Sequence, residues 1–213
     1  MAHENRRPPS TPPGSPEGLD GGSPLLEHLT RAQEVLARER AEAVRLCEEL
    51  LALPREHQVA AVRSDLRFRT WGICEGLLLR SADPQVAPAE AEHLALLALQ
   101  VAAGLDGIVH NAAVVRDLEA SAWGCASRAR LRADDEDGAE QALIEAAAHL
   151  AHGTGDLLVE ARLLELEAML RRQQGRPRDA AALLRQAEAR YREIGETGLA
   201  DQARDARERL LAL

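Results

Sequence analysis

Lysine is absent from this chain; all 26 basic residues are arginine. That excludes Schiff-base chemistry and any phosphate loop built around a lysine ammonium. Aromatic residues are almost absent as well: Phe68, Trp71, Trp123 and Tyr191 are all there are. With 35 acidic residues the net charge is −9. An acidic chain so poor in rings has neither a general attraction for phosphates nor a platform for stacking bases, so direct nucleic-acid binding is not expected. Cysteine is scarce and isolated. Cys47, Cys74 and Cys125 fit no CxxC or other metal spacing and read as small buried thiols in a reducing compartment, a structural disulfide being the other reading. No stretch reaches the roughly 18 uninterrupted apolar residues of a membrane helix, and no apolar leader follows Arg6 and Arg7. A soluble, cytoplasmic protein is expected. No run alternates apolar and polar residues as a strand would.

What is present is alanine, leucine and arginine, all good helix formers, which predicts an all-α fold. The abundance of Ala and Arg suggests a GC-rich bacterial source. Residues 1–23 stand apart. Pro8, Pro9, Pro12, Pro13 and Pro16 alternate with Ser and Gly, and little is apolar, so a disordered tail is expected. Residues 24–67 are expected to form an N-terminal helical segment. Ser23-Pro24 is a helix start, and Leu25, Leu29, Ala32, Leu36, Ala43, Leu46 and Leu50 recur at helical spacing to about Leu53. A short helix follows from Pro54 to about Arg63.

From 68 to 213 the chain reads as paired helices. The predicted segments are Arg69–Ala82, Pro88–Ala103, Asn111–Arg132, Glu136–His152, Leu157–Gln174, Pro177–Ile194 and Leu199–Ala212. Breaks carrying Asp83-Pro84, Gly104 to Gly107, Gly153 to Gly155, Gly175 and Gly195 to Gly198 separate them.

These pairs repeat. Ala139, Leu143 and Ala146 have a spacing of four then three; Ala180, Leu184 and Ala187 repeat it 41 residues on, and Ala91, Ala95 and Ala98 show it 48 residues earlier. A small residue lets two helices approach, and the next two continue the stripe along one face. Trp123 lies 16 residues before Ala139, as Leu164 does before Ala180. Trp71 lies 20 before Ala91, which calls for a four-residue insertion near Pro84–Pro88 and makes Trp71-Gly72 and Trp123-Gly124 equivalent dipeptides.

The pattern resembles the tetratricopeptide repeat (TPR), of the divergent kind found in bacterial regulators and adaptors. Trp123, Ser127, Ala139, Leu143 and Ala146 match its large and small positions, as do Leu164, Ala168, Gly175, Ala180, Leu184 and Ala187. The period exceeds the usual 34 residues or so. Glu167, Arg130 and Arg171 stand where the family has Leu or Tyr, and the closing Pro is missing. The resemblance implies a right-handed α-α superhelix of about three hairpins with a capping helix at the C-terminus. It implies a non-catalytic scaffold that binds a peptide or protein, with no cofactor or metal. The family's groove positions fall on Arg69, Arg80, Arg128, Arg132, Arg162, Glu165, Met169, Arg172 and Gln173. This arginine-rich stripe suits an acidic partner or a carboxylate. Those arginines can equally serve helix C-termini or pair with nearby Glu. A self-assembling module is the alternative function, and an enzyme with an unrecognised site a more remote one.

Other chemistry reads as structure. His149 and His152 supply two ligands at most and suit a solvent-facing helix end. Asp134 to Asp137 cap a helix start rather than hold calcium. Gly153-Thr154-Gly155 is a turn, with Asp156 capping the next helix.

Overall fold

A computed structural model describes residues 23–212. Ten α-helices account for most of them: α1 (Pro24–Leu51), α2 (Arg55–Ser64), α3 (Trp71–Ala82), α4 (Pro88–Ala103), α5 (Gly107–His110), α6 (Ala112–Arg132), α7 (Glu136–Leu150), α8 (Leu157–Gln173), α9 (Pro177–Glu193) and α10 (Thr197–Leu211). A single 3-10 turn, Leu66–Phe68, precedes α3, and no strand occurs among the described residues. The expected tail lies outside those residues except for Ser23. Ser23 holds the N-cap position of α1 but makes no side-chain cap hydrogen bond; Pro24 alone provides the start signal. Among the described residues no helix is long and apolar enough to cross a membrane.

Local chemistry sets the ends. Asp135 accepts from Gly138 N at 2.9 Å and Asp156 from Leu158 N at 2.8 Å, so both capping assignments hold. Three helices stop in the same way. Asp134, Gly175 and Gly195 take positive φ, and the next N–H returns to a carbonyl of the last turn: Asp135 to Arg130, Arg176 to Arg171 and Glu196 to Tyr191. Two elements were not foreseen, the 3-10 turn Leu66–Phe68 and a helical turn before α6. The break after Gly104 contains α5, a single turn capped by Asp106 and stopped by Asn111 at φ +63°.

Successive helices pack side by side: α3 on α4, α4 on α6, α6 on α7, α8 on α9 and α9 on α10, while α3 also touches α6 and α6 touches α8. The second half of α1 lies on α3, and its Leu46 and Leu50 share one core with Val62, Ile73, Leu94 and Leu97. Ala91, Ala95, Ala98, Ala139, Ala146, Ala180 and Ala187 are all fully buried. Bonds between helices recur at the sequence offsets. Arg130 on α6 pairs with Glu92 on α4 at 2.7 Å, and Arg171 on α8 pairs with Glu140 on α7 at 2.8 Å. Glu92 and Glu140 are 48 apart, like Ala91 and Ala139; Arg130 and Arg171 are 41 apart, like Ala139 and Ala180. The Ser81 hydroxyl donates to Ala91 O and the Ser127 hydroxyl to Ala139 O, again between paired helices.

That last pair corrects one alignment. Ser81 matches Ser127, which makes Leu77, not Trp71, the counterpart of Trp123. The two Trp-Gly dipeptides do different work. Gly72 abuts the α1 backbone at Glu39, whereas Gly124 abuts Leu163 on α8.

Candidate binding groove

Helices α3, α6 and α8 lie in a row, and a groove of about 520 Å³ runs between them. Small residues on α6 make room for it: Ser121, Gly124 and Cys125 face the opening. A methyl group at Gly124 would stand 2.8 Å from Leu163 Cδ2, so the glycine sets the α6–α8 approach. Leu78, Leu118, Val159, Leu163 and Leu166 line the apolar wall, and Leu79 is 76% exposed at the rim. Arg128 and Arg162 complete the lining with Glu75.

The charges there are unevenly matched. Glu75 is held by Arg40 from α1 through hydrogen bonds of 2.7 and 2.6 Å. The Arg40 hydrogen bonds keep that carboxyl below its ordinary range. Arg128 and Arg162, by contrast, form no ion pair and no hydrogen bond with any described residue. The two converge. Both oppose the upward shift that burial gives the Cys125 thiol, and both act on Tyr191, whose hydroxyl is raised first by burial and then by Glu165. Tyr191, fully buried on α9, donates to Glu165 at 2.7 Å.

The remaining expected positions separate into two groups. Glu165, Met169 and Arg172 border a smaller hollow of about 240 Å³ further along α8, with Leu184 and Arg209. The structure therefore brings Arg128, Arg162, Glu165, Met169 and Arg172 to adjoining hollows along α8. The others lie elsewhere. Arg69 donates to the carbonyls of Val62 and Arg63, tying α2 to the start of α3. Arg132 donates to the carbonyls of Pro84 and Val86 at 2.9 and 2.6 Å, a clamp on the α3–α4 loop. Gln173 donates to Leu131 O at 3.2 Å. Arg80 is exposed on the α1 side of α3, near Cys47. The apolar wall and Tyr191 escaped the sequence reading, because the groove positions were taken from those that the repeat resemblance implies, and the wall residues are not among them.

His149 is only partly exposed, not a free solvent-facing group. It lies 2.9 Å from Glu119, a carboxylate only 5% exposed that Arg116 also holds at 2.7 Å. His152 is exposed and bonds the Ala148 carbonyl. A third hollow, about 470 Å³, opens between the outer half of α1 and α5, lined by Val35, Leu36, Trp71, Ile108, Val109 and His110.

No protein-family model, curated protein or solved structure matches the chain.

Proposed function

We propose that the chain is a TPR-like array, a right-handed superhelix of three hairpins (α3–α4, α6–α7, α8–α9) capped by α10. It acts as a non-catalytic scaffold that holds a protein segment in the groove across α3, α6 and α8. The repeated struts, Arg130–Glu92 and Arg171–Glu140, support the repeat, since one interface is rebuilt at the next hairpin. One observation carries the binding role: an apolar groove lined by two arginines that pair with no described residue, whereas Arg130, Arg171 and Arg190 all pair. An exposed apolar surface with unspent donors marks a binding face. An acidic partner in a cytoplasmic regulatory or signalling assembly of a bacterium fits it.

Affinity purification from the native host with mass spectrometry tests this. Leu79→Asp places a charge on the groove rim; Ile144→Asp, at an exposed position of α7, is the control. A protein retained by the natural chain and by Ile144→Asp should be lost from Leu79→Asp. Equal recovery with Leu79→Asp would remove the groove from consideration.

Self-assembly is the second reading. Leu26 and Leu29 on the outer half of α1 are 62% and 48% exposed, and Ile108 and Val109 beside the third hollow are 95% and 58% exposed. Light scattering over a dilution series separates that reading from a monomeric scaffold.

A further inference from the structure

We propose that the groove recognises a carboxylate set among aliphatic side chains, and that Tyr191 keeps the recognition site positive by holding Glu165 away from Arg162. The inference rests on the groove being the binding face. Its first support is that Arg128 and Arg162, from the contacting helices α6 and α8, line one groove with an apolar wall. A carboxylate bound in the groove can take up both guanidinium forks. The wall of Leu78, Leu163, Leu166 and Val159 adds an aliphatic requirement.

The second support is Glu165. It follows Arg162 by three residues on α8, the spacing at which opposite charges on a helix pair. They form no ion pair. Glu165 turns to the second hollow and accepts from Tyr191 instead. Arg162 therefore stays available to a ligand. Tyr191 is a positioning residue: it touches no ligand and acts through the carboxylate it holds.

Calorimetric titration tests both parts with two capped synthetic peptides, one of leucine and glutamate and one with glutamine at every glutamate. The glutamate peptide should bind, and its affinity should fall as salt rises. The glutamine peptide should bind about tenfold more weakly or worse, the scale of a lost charge-assisted hydrogen bond. Arg128→Gln should remove most of the difference. Tyr191→Phe keeps the buried ring and deletes only the hydroxyl. It should weaken the glutamate peptide by about threefold to tenfold, the range of one ion pair competing for Arg162, and Glu165→Gln added to it should restore binding. Circular dichroism checks that each variant is folded.

Equal binding of the two peptides, or no binding of either, overturns the carboxylate inference. The groove reading then still stands or falls on the Leu79→Asp capture. Unchanged affinity in Tyr191→Phe, or no recovery in the double variant, overturns the role of Tyr191.

Discussion

Gly72 shows how one missing methyl group can set an interface. A Cβ there would stand 2.8 Å from the carbonyl carbon of Glu39 and 3.0 Å from Ala43 Cβ. The obstacle is helix backbone, which cannot swing aside as a side-chain tip can. Gly72→Ala gains up to about 1 kcal/mol of helix propensity. It loses about 1–3 kcal/mol to overpacking and forces α1 off α3. The second term wins. Urea unfolding should show a net loss of stability, and the backbone hydrogen bond from Trp71 N to the Glu39 side chain, 2.7 Å here, should weaken. A variant as stable as the natural protein would mean that α1 is not seated as described. Sequence alone showed a glycine after each tryptophan but not what each one meets, because that depends on which neighbouring helix arrives. The same limit applies to His149. Its place near a helix end was visible, while the buried Glu119 that draws it in comes from a different helix.

At the scale of elements, the alanine stripes were the legible part. Their spacing reflects helix geometry and close approach, both local consequences of residue size. Ala139 is fully buried, and the Ser127 hydroxyl reaches its carbonyl at 3.1 Å. Ala139→Leu should cost about 1–3 kcal/mol, since α6 and α7 would have to separate. Ala147→Leu, on the exposed face of the same helix, should stay within about 0.5 kcal/mol of the natural protein. Denaturant midpoints for the two variants measure the difference, and equal midpoints would deny the stripe its role. The α5 turn was illegible for the opposite reason. Gly107-Ile108-Val109-His110 has poor helix propensity, and the turn exists through the Asp106 cap and the positive φ of Asn111. Helix boundaries elsewhere followed the Gly, Pro and Asp signals to within a few residues. The groove needed more than one element, so arginine positions could be read in advance while its leucine wall could not.

Across the whole molecule, burial is unequal. The N-terminal half gathers Leu46, Leu50, Phe68, Ile73, Leu77, Leu94, Leu97 and Val101 into one core. Toward the C-terminus the buried clusters are small and rich in alanine: Ala161, Ala187, Ala200 and Ala203 around Tyr191, and Ala168 and Ala180 with Leu184. A buried leucine contributes about 1.5–3 kcal/mol, and an alanine much less. Most contacts join neighbouring helices, so among the described residues the two ends are coupled where α6 and α7 meet α8. Native-state hydrogen exchange should therefore open the protein in order: α10 and α9 first, α8 next, and α3, α4 and α6 last. A ligand across α3, α6 and α8 adds its binding free energy to states in which α8 is docked. It should slow exchange in α8 and α9 far more than in α4, whose opening already requires the large core to unfold. A single protection factor shared by every helix, with or without ligand, would contradict the uneven core and the coupling together.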